Sequence, residues 1–479
     1  MQMKIAIMHY HLRQGGVTTV IRDQVAALRR EAQCLVLTGE PPPDGLDAEL
    51  AAVTRVVPGI GYAEGKPGTP DSRAAASAAL RAMRDEWGTT ADLLHVHNPT
   101  MKKNPSFPAT LRRLQEAGLK LLLQIHDLAE DGRPSAYFPI EEEYPRDCHY
   151  GVINSRDRQV LIASGLRPEG VHLMWNVVRP PLEPAARPAA SRGARSGTPL
   201  ELIYPVRAIR RKNIGEAILL GTLMRGRLTF TLPPRNESDL ARYSDWKDFV
   251  RSHDLPARFD TGLDHRLEEL MGETDCALST SLNEGFGFAL LEPWTAGVAV
   301  GGRRIPHVCG DFERAGVKFP WLYETLPVSA EWLDISSFWS RWREALVSTF
   351  RSFGKDPGEP ALAGAWSEMV DGGVVDFGLL DEEGQREVIA RVLSDPNARR
   401  TLESREADVL NMGLADPDGH IIEQNKGVIL ESYGMESYTG MLCAAYQAAW
   451  NVPLRHRVDR RTLLSSFLDP RRFRILENR

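Results

Sequence analysis

Along the first 176 residues, short apolar runs alternate with longer stretches in which apolar side chains recur every three or four positions. The runs KIAIMH (4–9), CLVLT (34–38), TRVVP (54–58), DLLHVH (92–97), KLLLQIH (120–126), YGVIN (150–154) and VHLMWN (171–176) predict strands. VTTVIRDQVAALRR, SRAAASAALRAMRDEW and SFPATLRRLQEAG, lying between them, predict helices. Strand, helix, strand at this spacing implies right-handed crossovers and a parallel sheet covered on both faces. LLLQI is nearly apolar throughout, which suits an inner strand better than an edge.

The pattern then breaks. Residues 179–199 are rich in Pro, Ala, Arg and Gly without periodicity and read as a linker. Alternation resumes at LELIYPV (200–206) and continues through NIGEAILLGTLM, LTFTLP, a polar helix over 236–252 and DCALSTS. The expected organisation is therefore a doubly wound α/β domain over 1–178, a linker over 179–199, a second such domain over 200–434, and a closing helix and tail over 435–479. The stretch 320–400 is less regular and holds five tryptophans. The tail from Asn451 carries eight arginines against three acids and reads as a solvated or docking segment. Peripheral contact of this tail with anionic lipid would need an amphipathic face, which Pro453 and Pro470 interrupt.

Composition narrows the classes. A chain of 479 residues exceeds one ordinary core, and its net charge of -6 argues against a general nucleic-acid binder. No apolar run approaches the roughly 20 residues that span a bilayer. The start lacks the long apolar segment of a signal peptide, so a cytoplasmic enzyme is expected. The five cysteines are scattered with no CxxC pair, which indicates neither a disulfide framework nor a zinc site.

Candidate chemistry collects at predicted strand ends, where open α/β sheets bind ligands. Gly15 and Gly16 open a helix after the first strand, an arrangement that suits an anion; a tight turn that needs glycine is the plainer reading. His95 and His97 share one face at a strand end, and His126 ends the strong strand 120–126. Arg207 and Lys212 bracket the next strand–helix junction. Two cations there suit a diphosphate, and an exposed basic loop is the alternative. In NEGFGFALLE, Glu284 lies in a turn, Gly285, Phe286, Gly287 and Phe288 lead into a helix, and Glu292 follows inside it. Carboxylates so placed can hold sugar and ribose hydroxyls beside a helix N-terminus that faces phosphate. The letters Asp416-Pro-Asp418 form a DxD in a polar loop and are discounted as a metal site.

Together, the GG loop, the IHD strand end, the Arg207–Lys212 spacing and E-G-F-G-F-A-L-L-E resemble retaining glycosyltransferases of the GT-B fold. The resemblance is to glycosyltransferase family 4, also called group 1. It covers most of the chain, including closing helices in LSDPNARRTLESREADVL and YGMESYTGMLCAAY. It implies two Rossmann-like parallel-sheet domains facing a central cleft, the first acceptor-side and the second nucleotide-sugar-binding, with the last helix crossing back to the first. It further implies transfer of a hexose of glucose or mannose type from a UDP- or GDP-sugar to a hydroxyl acceptor, without an essential metal or other cofactor. Gly15 and Gly16 would approach donor phosphates, and His126 would lie beside the transferred sugar. Arg207 and Lys212 would hold the diphosphate, Glu284 and the amides of Gly285 to Phe288 the sugar, and Glu292 the ribose. The variable loops 39–72 and 127–149 would meet the acceptor. A glycoside phosphorylase or sugar-nucleotide epimerase of the same fold is the alternative, and a non-catalytic nucleotide-sugar binder a further one. The chain departs from the family pattern after Glu292. Pro293 interrupts the helix, and Arg303, Arg304 and Asp311 stand where donor-sugar contacts are often found.

Overall fold

The structure is a computed structural model that describes residues 2–63, 71–181, 199–405, 407–411 and 419–477. The linker read at 179–199 lies largely outside these residues, and the Asp416–Asp418 loop wholly so. The chain divides into two compact units, Met1–Val177 with Tyr433–Leu468, and Val178–Ser432 with Asp469–Arg479. Whereas the sequence reading sends all of 435–479 to the first unit, the last stretch groups with the second.

The first unit is built on a seven-stranded sheet. Its strands are β1 (Met3–His9), β2 (Ala32–Thr38), β3 (Thr54–Val56), β4 (Leu93–His97), β5 (Lys120–Ile125), β6 (His149–Val152) and β7 (Val171–Leu173). They lie in the order β3-β2-β1-β4-β5-β6-β7, and every pairing is parallel. β5 is an inner strand, as its nearly apolar run predicts. Alternate residues of β1 feed opposite faces: Ala6 and Met8 join one buried cluster, Ile5 and Ile7 the other. The second cluster is closed by the helix Met435–Asn451, whose Tyr438, Leu442, Tyr446 and Ala449 pack with Ile21, Val25 and Leu28 of the helix Gly16–Leu28. The intervening helices start and stop where capping chemistry directs. Asp71 caps Ser72–Trp87, which ends on left-handed Gly88, and Asn154 caps Ser155–Ala163.

The second unit repeats the plan with β8 (Glu201–Arg207), β9 (Arg227–Leu232), β10 (Ala257–Arg258), β11 (Cys276–Ser279), β12 (Ala299–Arg303) and β13 (Leu322–Tyr323). Their order is β10-β9-β8-β11-β12-β13, again all parallel. The polar helix forms at Glu237–Ser252, capped by Asn236. The irregular region resolves into a small antiparallel pair, β14 (Pro327–Ser329) and β15 (Val374–Asp376), and the helices Ile335–Ser352 and Glu359–Met369. Its tryptophans are mainly packing groups: Trp342 is buried, and Trp339, Trp342 and Trp366 lie against one another. Among the described residues no helix is long and apolar enough to cross a membrane.

Candidate active site

In each sheet the strand order reverses direction once, between β1 and β4 in the first and between β8 and β11 in the second. Chains leaving adjacent strands on opposite sides of such a point open a crevice at the strands' carboxyl ends. Both groups of sequence-predicted residues lie there.

In the first unit, β1 ends at His9, β4 ends at His97, and His126 follows β5. His97 Nδ1 lies 2.8 Å from His126 Nε2, and His97 Nε2 lies 2.9 Å from Gln24 Oε1. His95 stacks on His97, and its Nδ1 meets the Tyr446 hydroxyl at 2.9 Å. Asn98 sits in a left-handed conformation just past β4, and its Oδ1 accepts from the backbone N–H groups of His126 and Asp127. Burial drives every one of these imidazoles towards its neutral form. His126 is pushed down to about 4, His9 and His95 to about 3, and His97 well below its ordinary value. Among the described residues no group of three or more His, Cys, Asp or Glu is arranged to hold a metal ion.

Beside this cluster is a pocket of about 240 Å³, whose lining includes His11, Arg13, Gly15, Gly16, Tyr62 and Lys103. Gly15 caps the helix with an extended backbone (φ 171), and neither it nor Gly16 lies in the left-handed region. A Cβ added at Gly16 would meet nothing within 4 Å. The turn therefore does not need its glycines for backbone conformation, and their effect is to leave the pocket wall bare. Arg13 pairs with Glu40, its Nε donating at 2.9 Å, and Arg13 and Lys103 both lie over the Tyr62 ring.

In the second unit the structure joins Lys212 and Glu284 in a buried ion pair, 72 positions apart in sequence. Lys212 ends the short helical turn Arg210–Lys212 after β8, and Glu284 lies in the turn after β11. Burial opposes both charges. For Glu284 the cations Lys212 and Arg211 outweigh it and hold the carboxyl below its ordinary value; for Lys212 burial wins and lowers the ammonium. The Glu284 turn is itself held: Tyr204 OH lies 2.9 Å from Ser281 Oγ, and His307 Nε2 lies 3.3 Å from Glu284 O.

Gly287 then adopts φ 95 and caps the helix Phe288–Thr295. A Cβ at Gly287 would come 2.9 Å from Val308, so both backbone and packing call for glycine. First-turn N–H groups of such a helix lack intrahelical partners and face outward. The ring of Phe286 is buried against Phe312, so only the backbone of Phe286 can meet a ligand. Glu292 lies one turn into the helix, and its carboxylate has no hydrogen bond or ion pair among the described residues. Burial and the nearby Glu268 push it up to about 7. The helix runs through Pro293 to Thr295.

Not every candidate joins this group. Arg207, at the end of β8, donates to Pro233 O at 2.7 Å and makes no hydrogen bond or ion pair with Lys212 or Glu284. Arg303 is buried. It forms a buried network with Glu216 and Asp376, both at 2.8 Å, and Tyr323 OH donates to Glu216 at 2.6 Å. Arg304 pairs with Glu313 and Glu324, and Asp311 with Arg314. The departure from the family pattern at Arg303 is thus a structural ion cluster. Gln24, Asn98, Ser281 and His307 were not singled out from sequence as site residues, because each acts by orienting another residue.

Residues 15–146 match the family model described as a glycosyl transferase 4-like domain. The chain is 23% identical over 478 residues to mannosylglucosyl-3-phosphoglycerate synthase of Petrotoga mobilis, covering 93% of this chain and 92% of that protein. Its structure is similar to that of Anabaena HepE in complex with UDP and glucose, at a TM-score of 0.55 and 12% identity, over 93% of this chain and 100% of that one. It is also similar to the catalytic domain of starch synthase IV from Arabidopsis thaliana, at 0.54 and 11%, over 94% and 100%. Sucrose-phosphate synthase from Thermosynechococcus elongatus gives 0.53 and 14%, over 93% and 98%. The chain is a glycosyltransferase of the GT-B fold. It resembles the family-4, group 1 enzymes, with the glycosyl transferase 4-like domain in its first unit.

Proposed function

We propose that the enzyme transfers a hexose, of glucose or mannose type, from a nucleoside-diphosphate sugar to a hydroxyl acceptor with retention at the anomeric carbon. The observation that carries this reading is the buried Lys212–Glu284 pair at the switch point of the second sheet, followed in the adjoining helix by the unpartnered carboxylate of Glu292. Glu292 accepts from the ribose hydroxyls, and Glu284 from the sugar. Lys212 and the first-turn N–H groups of the helix that follows Gly287 face the diphosphate, with Arg207 as a second cation. Gly15 and Gly16 leave room for the donor phosphates at the wall of the first unit's pocket, and neutral His126 hydrogen-bonds the sugar.

As the bond from the anomeric carbon to the diphosphate breaks, the acceptor oxygen bonds to that carbon from the same face. The acceptor proton passes to the departing phosphate oxygen. The charge that develops on the diphosphate is met by groups already in place, which lowers the barrier without reorganisation. These protein cations fill the role a divalent metal would otherwise take.

For the acceptor, the name of the Petrotoga mobilis relative suggests a phosphorylated glycoside. Arg13 and Lys103 in the lining of the pocket beside Gly15 support an acidic group there. The test is incubation with UDP-glucose or GDP-mannose and glucosyl-3-phosphoglycerate in EDTA, with the product read by NMR. An α-linked product is expected from these α-linked donors. A β-linked product, or turnover only with inorganic phosphate, would overturn the reading.

A further inference from the structure

The basic tail, read from sequence as solvated or docking, docks with its last stretch in the second unit. Arg474 Nη1 donates to Leu282 O at 2.7 Å and also lies 3.2 Å from Glu477 Oε1. Asn283 Nδ2 lies 3.4 Å from Glu477 Oε2. Leu282 and Asn283 are the two residues that lead into Glu284. On its other side the segment touches the Lys212 turn, because Arg210 Nη1 donates to Ile475 O at 2.7 Å while its Nε and Nη2 grip Glu382.

The segment is firmly seated. Phe473, Ile475 and Leu476 are buried, with the Phe473 ring 6.0 Å from Trp342. Arg471 reaches Glu368 on the helix Glu359–Met369 at 3.1 Å. One stretch of tail therefore connects the helices of the irregular region to both turns that supply the buried ion pair. Both backbone groups of Leu282 are engaged: its N–H donates to Arg211 O at 3.0 Å, and its carbonyl accepts from Arg474.

We propose that Arg474 is a positioning residue for donor binding, fixing the turn before Glu284 so that the carboxylate meets Lys212 and the donor sugar together. This rests on the reading of Glu284 as a donor-site residue. A guanidinium suits the task because its rigid fork can bond the Leu282 carbonyl and the Glu477 carboxylate at once. Misplacing a group at a reacting centre by about an ångström can cost on the order of 100-fold in rate. Loosening one anchor of this turn should cost about 10-fold.

The experiment uses the full chain with Arg474→Ala, Arg474→Lys, Glu477→Gln and, as a control on the same segment, Arg472→Ala. Donor affinity and donor cleavage are measured with UDP-glucose and GDP-mannose, alongside melting temperature. Arg474→Ala should weaken donor binding or cleavage about 10-fold with little change in melting, Arg474→Lys should recover part of the loss, and Arg472→Ala should match wild type. Wild-type behaviour in Arg474→Ala, or a loss that Arg472→Ala shares, would overturn the proposal. So would a loss that follows melting temperature across all four variants. Glu284→Gln is run in parallel: if it too keeps wild-type donor cleavage, the donor-site reading fails. If Glu284→Gln alone is impaired, only the role of Arg474 fails.

Discussion

The two candidate clusters occupy the same position in two sheets of like topology, yet the first is made of neutral rings and the second of charges. Around His126 the hydrogen-bonding neighbours are other histidines, Gln24 and Asn98, and burial outweighs the nearby carboxylate of Asp127, so the imidazoles stay unprotonated. Around Glu284 the neighbours are Lys212 and Arg211, which keep the carboxylate ionised although it is buried. Burial is common to both, and the partner decides the protonation state. A neutral donor–acceptor surface suits sugar hydroxyls, and a charged one suits a diphosphate.

The largest effect should come from breaking the charged cluster. Glu284→Gln is expected to lower transfer by about 100-fold or more, measured as initial rate under saturating donor, with a smaller fall in stability than Lys212→Ala because the amide keeps a hydrogen-bonding group beside the Lys212 ammonium. Lys212→Ala should lower transfer as much and also destabilise, because it leaves a buried carboxylate unpaired; such losses run to about 3–5 kcal/mol. A chemical-denaturation series separates the two variants, and equal stability would mean the pair is not buried as described. The neutral cluster should be more forgiving. His126→Asn keeps a hydrogen-bonding group and should cost about 10-fold, seen in the same assay.

Acid sharpens the contrast. An unfolded chain binds protons on histidine below its ordinary value of 6.5, whereas folded His126 resists to about 4 and His9 and His95 to about 3. Stability contributed by these neutral rings is present above 6.5 and is lost as pH falls from there towards 4. Melting temperatures should therefore drop between pH 7 and pH 4.5, with a shallower drop in His126→Asn; an unchanged slope would exclude it. Glu292 should give the smallest effect, with the opposite sign. Its folded value of about 7 against 4.5 unfolded means stability is lost as pH rises from 4.5 to 7. Glu292→Gln should melt about 2 °C higher than wild type at pH 8 and no higher at pH 4.5.

Much of this was legible in the sequence because it rests on local pattern. The apolar runs of β1, β2, β4, β5, β8 and β9 mark themselves. Strands β10 and β13 are too short to show a period, and β12, AVGGR, is too rich in glycine to read as one. The site residues at strand ends were legible one at a time, but their partners were not. That Lys212 meets Glu284 follows from β8 and β11 lying side by side, which local pattern does not reveal. Arg303 shows the same limit. A charged residue after a buried strand suggests a ligand contact, and its true partner is Glu216, the one acid in the apolar helix Ile214–Leu223. Composition leaves the tail open between a solvated and a docking segment, and contacts decide for docking: Arg460 is buried among the carbonyls of Phe138, Pro139 and Glu142, and Arg474 holds Leu282.

The most direct test of the account is calorimetric titration of wild type and Glu292→Gln with UDP, GDP and ADP. At least one nucleoside diphosphate should bind wild type with micromolar affinity and bind Glu292→Gln about 10-fold more weakly, the loss of a charge-assisted hydrogen bond. Absence of binding by all three, or equal affinity in the two proteins, would contradict a nucleotide-sugar site at the turn and helix of residues 284–292.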